Sequence, residues 1–490
     1  MTSHTPTPTP SPSLSPSPSS HPAATLLPGV HLPTWSPLLA LALGLVLLTW
    51  LTVKTVRYLR ADVEMRASIR QAARIRRTWP RLARNLGLTT TDRMPTLMQQ
   101  LNPPKDGTKH EPRILTPKIT TTADRFGVLV HLKTVPKVGL VELQRHADHL
   151  AEEWRCTRVS INPDKPGQLL IRAVRNEPLH TPILFTPTGK RPESLREWDL
   201  GVDEYAQMLA LRMANVPGMA VAGLPGYGKS SLINALIARL APSDAVQFIV
   251  FDGKVSQAHE GDYADVIDRL AAFVGDDLAE ANKLLTELVA LRKGRSSCIR
   301  RVLGSTNMWS KEPTAAWPLV IVIIDEAHTY FRDYKGSDPA TKRLAQLSAE
   351  NARLVEDLVK KGRNVGLVTI LATQKATGDA IPTFIRDVCP VALSFAQKTT
   401  EAAVAALGED IRNWPQASPL LLLDECNVGV AVMVRQGQEG FLRVRIPYVD
   451  PADCARIAQA SAHLTADPTE LLARLNRNRL DKPEPRDNAA

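Results

Sequence analysis

Residues 223–230 read GLPGYGKS, a Gly-x-x-x-x-Gly-Lys-Ser pattern. The small apolar run from Met219 to Ala222 precedes it, and SLINALIARL follows with helical periodicity. Strand, glycine loop and helix in that order form a cradle for phosphate. Gly223, Gly226 and Gly228 let the backbone close around the anion, so the loop from Gly223 through Leu224, Pro225, Gly226, Tyr227 and Gly228 to Lys229, Ser230 and Ser231 is the expected ATP-binding segment. Lys229 would reach the β and γ phosphates, and the Ser230 hydroxyl would hold Mg²⁺. A chance glycine-rich turn is the bland alternative.

A second stretch makes accident a poor explanation. PLVIVIIDEAH, residues 318–328, is a continuous apolar run that ends in two carboxylates. Such a run reads as a strand buried on both faces, and its carboxyl end lies where parallel sheets bind ligands. Asp325 is placed to bind the magnesium through its water shell, and Glu326 to orient or deprotonate an attacking water. A third buried strand, LVTILATQ, ends at Gln374. That glutamine either senses the γ phosphate or caps its strand.

The elements that must position these groups alternate. VQFIVFDGK reads as a strand ending in Asp252 and Lys254, AEANKLLTELVALRKGR as a long helix, and LVEDLVKKGRNVG as a helix leading into the Gln374 strand. The expected fold is α/β, a P-loop NTPase (RecA-like) motor over 195–450 with a parallel, doubly wound sheet. A small α+β domain is expected ahead of it at 126–180, and a short helical tail at 451–490. His146 and His149 lie three apart on a helix of the small domain, but no third ligand accompanies them, so a solvated face is the better reading than a metal site.

The amino end has a different character. Residues 1–53 contain no Lys, Arg, Asp or Glu, and seven prolines fall in the first 22. Residues 1–35 therefore read as a disordered tail. PLLALALGLVLLTWLTV, within an expected transmembrane helix at 36–54, is near the lower length limit for a bilayer span. No basic stretch precedes it, which favours an anchor over a cleaved signal peptide. From Lys54 to Arg84, ten basic residues stand against two acidic ones, a local balance of +8 within a chain of +10. The high isoelectric point is thus local, and 55–85 reads as a basic juxtamembrane helix on the cytoplasmic side of a single-pass cell-membrane protein. Residues 86–125 read as a linker. Five scattered cysteines without Cys-x-x-Cys pairing suit a reducing compartment.

In order, GLPGYGKS, FDGK, VIIDEAH and KKGRNVGLVTILATQKATGDAIPTFIRDVCPVALSF resemble the FtsK/SpoIIIE family of DNA translocases, with the nearest likeness to actinobacterial TraB-type transfer proteins of plasmids and integrative elements. The resemblance covers the motor, and more loosely residues 112–180. It implies a homo-hexameric ring that encloses double-stranded DNA and moves it by ATP hydrolysis, with other transfer or division proteins as further partners. A ring needs a positive group from a neighbouring subunit at each site. Arg363 and Arg386 are the candidates, a structural ion pair being the other role open to each. Departures from the family are Gly253 where Asp-Pro-Lys is usual, no arginine in KTTEAAVAALGED, one span, and no winged-helix reader after Asp450.

A DEAH-box helicase is excluded by the missing downstream motifs, and a transporter ATPase by the missing Leu-Ser-Gly-Gly-Gln signature. A coupling protein acting on single-stranded DNA, a chromosome-segregation translocase and an ATP-regulated membrane scaffold remain as alternatives.

Overall fold

The computed structural model describes residues 36–92, 112–374, 381–437 and 439–480. The expected tail at 1–35 lies outside them. The chain divides into two compact units, Met1–Ala61 and Asp62–Ala490.

The first unit holds one helix, Ser36–Arg60. At 1.5 Å per residue its 25 residues extend about 37 Å, more than a hydrocarbon core of about 30 Å requires. Its leucines from Leu41 onward are exposed, and the Thr49, Thr52 and Thr55 hydroxyls each donate to a carbonyl of the preceding turn at 2.8–2.9 Å. No side-chain donor among those three is left for water to satisfy, which suits an apolar surrounding.

The second unit begins where Asp62 caps the helix Val63–Asn85, its carboxylate accepting the Met65 N–H at 3.3 Å. Ala72, Ile75, Trp79 and Ala83 recur every three or four residues and are buried, while Arg70, Arg74, Arg77, Arg81 and Arg84 face outward. The apolar stripe packs into the small domain. Trp79 donates its indole N–H to the Pro117 carbonyl at 2.7 Å, and its ring lies 6.1 Å from that of Trp154. Here the structure corrects the expected boundaries: 63–85 is a core helix of the α+β domain, not a separate juxtamembrane element. The expected linker also contains order. A ribbon of β1 (Thr90–Asp92) and β2 (Arg113–Leu115) is followed by β3 (Lys118–Asp124). With β4 (Gly127–Lys133), β5 (Arg158–Pro163) and β6 (Gln168–Val174), β3 forms an antiparallel sheet of order β3-β4-β6-β5.

The motor is built on a ten-stranded sheet. Its strands are β7 (Glu197–Asp203), β8 (Met208–Arg212), β9 (Gly218–Ala222), β10 (Val246–Asp252), β11 (Leu270–Val274), β12 (Leu319–Asp325), β13 (Leu367–Thr373), β14 (Val391–Ser394), β15 (Val430–Val434) and β16 (Phe441–Arg445), in the order β11-β10-β12-β13-β9-β14-β15-β16-β7-β8. The first six are parallel; the last four run antiparallel, so the sheet is mixed where a parallel one was expected. The sequence carries the distinction in its patterning. β10, β12 and β13 are buried at every position, whereas β7 and β8 alternate or face water, as antiparallel edge strands do. The expected tail is part of this body: Cys454, Ile457, Ala458 and Leu472, from the helices Pro451–Ser461 and Pro468–Leu480, join the motor core.

A buried ion network joins the small domain to the motor. Arg158 on β5 donates to Glu177 at 2.7 and 3.0 Å and to Glu204 at 2.7 Å, and Asn162 donates to the Tyr205 hydroxyl at 2.7 Å. Burial alone would raise the Glu177 carboxyl, but Arg158 holds it below the usual carboxylate range. Its contribution to stability is therefore present above the ordinary carboxylate value and lost as pH falls through the depressed one. Replacing Arg158 with alanine strands two buried carboxylates and should cost about 3–5 kcal/mol at neutral pH. In urea titrations the deficit should shrink towards pH 4 as Glu177 takes up a proton; a deficit independent of pH would show that packing, not charge, holds the joint.

Candidate active site

Strand register places the chemistry. Ala222 pairs with Thr373, Leu371 with Ile324, and Asp325 with Asp252, so the ends of β9, β13, β12 and β10 meet at one edge of the sheet. The glycine loop leaves β9 there, and Gly228 begins the helix Lys229–Leu240 with φ +112°. Gly223 has φ +152°, and a Cβ on it would stand 2.6 Å from that of Phe395, which only glycine avoids. The loop is braced from both sides: Gly223 N–H donates to Thr373 O at 3.3 Å and Leu224 N–H to Ala396 O at 3.0 Å. Pro225 and Gly226 form its exposed tip, and Tyr227 donates its hydroxyl to the Leu423 carbonyl at 2.7 Å.

Lys229 is 4% exposed and donates to the carbonyls of Gly223 and Leu224 at 2.7 and 3.0 Å. Burial lowers its ammonium to about 8, against the opposing pull of Asp325. Ser230 donates its hydroxyl to Asp262 at 2.6 Å, and Ser231 is half-buried one position along the same helix.

Asp325 has no exposed surface. Its carboxylate accepts from the Lys254 ammonium at 2.8 Å, the Tyr263 hydroxyl at 3.0 Å and the Glu326 N–H at 2.8 Å. Glu326 adopts φ +49°, a left-handed conformation that costs a non-glycine residue about 1–3 kcal/mol and clusters at functional sites. Burial and then Asp325 raise the Glu326 carboxyl, opposed by Lys254, Lys229 and the Gln374 backbone N–H. Gln374 follows β13, the strand lying between the glycine-loop strand and the Asp325 strand. Fold and register thus bring Lys229, Ser230, Asp325, Glu326 and Gln374 together.

Asp262 and Tyr263 also belong here, and sequence reasoning missed them. They sit in the loop between β10 and β11, in EGDYAD, which carries no motif; only the loop's return over the sheet edge brings them in. Lys254 links the two halves, 2.8 Å from Asp325 and 3.2 Å from Asp262. Among the described residues, the buried oxygens Asp252 Oδ2 and Glu326 Oε2 have no hydrogen-bond partner, and burial raises the Asp252 carboxyl to about 6. Hydroxyl and carboxylate oxygens are the hard donors that magnesium takes. No group of three His, Cys, Asp or Glu among the described residues could hold a metal by itself. His146 and His149 stand with ring centroids 6.2 Å apart and gather no further ligand.

Arg363 and Arg386 are not brought to this chain's own site. Both precede the amino ends of their strands, β13 and β14, and seven residues of β13 put about 20 Å between that edge and the glycine loop. Arg363 is exposed, with its Nε 3.2 Å from Asn364 Oδ1, whereas Arg386 donates to the Ala405 carbonyl at 2.7 Å within its own chain.

A glycine loop between strand and helix, with carboxylates two strands away and a polar residue on the strand between, defines a P-loop nucleoside triphosphatase fold. Residues 187–314 match the sequence profile of the FtsK/SpoIIIE family. It is 27% identical over 287 residues to a DNA translocase FtsK of Streptococcus pyogenes serotype M3, covering 54% of this chain and 33% of the relative. A DNA translocase FtsK 1 of Neisseria meningitidis serogroup B is 26% identical over 249 residues, with 45% and 29% covered. The chain therefore spans about a third of the length of these relatives. Among solved structures, the pCW3 conjugation coupling protein TcpA, in its monomer form with ATPγS, aligns with a TM-score of 0.48 at 16% identity, over 81% of this chain and all of that one.

Exchanging the strained Glu326 for glutamine keeps its shape and removes its basicity. Glu326→Gln should bind ATP within about threefold of the parent while its turnover falls by about 10²–10⁴. Equilibrium nucleotide binding and single-turnover hydrolysis would check this, and equal turnover would remove Glu326 from the chemistry.

Proposed function

We propose that this chain is an ATP-driven translocase of double-stranded DNA, working as a ring of six copies held to the cell membrane by one spanning helix, in the conjugative transfer of a plasmid or integrative element. The observation that carries the reading is the nucleotide site at one sheet edge, whose glycine loop lies within the stretch, residues 187–314, that matches the FtsK/SpoIIIE family. Lys229 leaves its two loop carbonyls to bind the β and γ phosphates, a move favoured because phosphate charge stabilises its ammonium. Ser230, Asp325 and Asp262 would hold magnesium, which neutralises charge on the transferred phosphoryl group. Glu326, its carboxyl raised by burial, orients and deprotonates the attacking water, and Gln374 senses the γ phosphate from the intervening strand.

Arg363 serves the neighbouring subunit. Its exposure at the edge away from its own glycine loop supports a role in trans, and the Ala405 contact makes Arg386 the weaker candidate. The apolar helix Ser36–Arg60 spans the bilayer, with Arg57, Arg60 and the following arginines on the cytoplasmic side. The likeness of the motif series to TraB-type proteins supports transfer over chromosome segregation.

ATP hydrolysis by the full chain in neutral detergent, without DNA, with duplex and with single strands, tests the assignment. Duplex should stimulate turnover, and Lys229→Ala should abolish it. Preference for single strands would favour a coupling protein, and indifference to DNA a scaffold. In the same assay Arg363→Ala should lose most of the duplex-stimulated rate, about 10³-fold for a transition-state arginine; undiminished turnover would end its role in trans.

A further inference from the structure

The turn that carries Arg363 is held more firmly than the start of β13 requires. It joins the helix Pro339–Gly362 to β13 as the single 3₁₀ turn Arg363–Val365, and Gly366 closes it at φ +84°. Val365 O accepts from two buried side chains, Arg295 Nη1 at 3.0 Å and Trp317 Nε1 at 3.1 Å, and Gly366 O accepts the Val320 N–H at 2.8 Å. Those bonds already anchor the start of the strand. One more donor falls upstream of them: Trp309, 2% exposed, gives its indole N–H to the carbonyl of Arg363 itself at 3.0 Å. From the turn's own backbone that carbonyl receives only the long Gly366 N–H bond, at 3.4 Å. Met308, beside Trp309, occupies the space where a side chain on Gly366 would stand.

Trp309 is itself secured. It lies in the 3₁₀ turn Met308–Ser310, whose cap Asn307 accepts the Trp309 backbone N–H on Oδ1 at 3.0 Å and donates from Nδ2 to Asn215 Oδ1 at 2.7 Å. Asn215 has φ +63° and stands just ahead of β9, the strand that ends at the glycine loop. A bracket therefore runs from the root of the glycine-loop strand through Asn307 and Trp309 to the backbone of Arg363. The side chain it presents has little to do within its own chain. It is exposed, and among the described residues its guanidinium meets Asn364 Oδ1 alone. A fixed backbone beneath an idle, exposed arginine is the arrangement of a group kept for another molecule.

We propose that Trp309 is a positioning residue, whose indole N–H fixes the Arg363 backbone so that the guanidinium reaches the nucleotide site of a neighbouring copy of this chain. The proposal rests on the reading of Arg363 as acting in trans. An arginine side chain has several rotatable bonds, so only its root can be set in advance, and a misplacement of about 1 Å at the reacting centre can cost about 10²-fold in rate. Trp309 lies with Arg363 at the sheet edge away from its own glycine loop, so losing its donor should leave nucleotide binding by its own chain intact.

The test is subunit mixing with the full chain in neutral detergent, read as ATP hydrolysis in the presence of duplex DNA. Trp309→Phe keeps an aromatic ring in place and removes the donor. Alone it should bind ATP as tightly as the parent, keep KM and lose about 10–100-fold in kcat, the signature of an interaction made only in the transition state. Co-purified through two different tags with Lys229→Ala chains, it should hydrolyse ATP faster per chain than in the pure variant, because its intact nucleotide site then receives Arg363 from a neighbour whose bracket is whole. Asn307→Ala, which withdraws the support of Trp309 without touching its ring, should behave in the same way and carries the test if Trp309→Phe does not fold. A rate in the mixtures at or below that of the pure variants, or parental kcat in both variants, would overturn the proposal. Arg363→Ala mixed with Lys229→Ala separates this inference from the reading beneath it. If that mixture also stays inactive, Arg363 does not act in trans and the bracket falls with it; if it recovers while the Trp309→Phe mixture does not, Trp309 is a structural residue only and the trans role of Arg363 stands.

Discussion

A carboxylate without any exposed surface stands at the end of a strand whose seven residues are all buried, and the architecture of the motor follows from supplying Asp325 with hydrogen-bond donors there. A buried carboxylate without partners is costly. Three donors meet that need, and each comes from a different part of the chain: Lys254 from just beyond the neighbouring strand β10, Tyr263 from the loop that returns over the sheet edge, and the Glu326 amide from the turn that follows. The last donor belongs to Glu326, whose backbone is left-handed, so the strained residue and a hydrogen bond to the buried carboxylate meet at one turn. Through Lys254 the same network reaches Asp262 and then Ser230, which ties the end of β12 to the helix after the glycine loop. A phosphate ligand would enter a site in which every cation is already engaged by oxygen, so its binding is an exchange of partners rather than the filling of an unmet charge.

How much of this was legible depended on the length of pattern each feature needs. The glycine loop, the Asp325 strand and the strand ending at Gln374 are contiguous words with their own periodicity, and register alone then brings them together. Asp262 and Tyr263 carry no such word; their role is created by a loop closure that no local pattern encodes. The antiparallel half of the sheet lies between these cases. Its alternation was present in β7 and β8, but a reading led by the buried parallel strands extended their topology too far.

The basic segment after the apolar helix shows why charge counting misplaces a boundary. Ten basic residues in a row of 31 obscure the fact that Ala72, Ile75, Trp79 and Ala83 repeat beneath them. Arginine carries a long apolar stem, so a helix can present a strongly basic surface and still bury a stripe against a sheet. The sharp change of role falls at Asp62, whose carboxylate starts a new helix immediately after Arg60 and Ala61. Before it the leucines from Leu41 onward are exposed; after it the apolar side chains find their partners within the protein.

Arg158 makes the small domain more than an appendage. Its guanidinium, on β5, is held by Glu177 before the motor sheet begins and by Glu204 immediately after β7, so the joint closes on both sides of that strand. Buried ion pairs of this kind contribute little net stability but strongly penalise any geometry that separates them. A small domain joined by apolar packing alone could slide on the motor at modest cost. One joined through a buried Arg158 with two carboxylates is held to a single register.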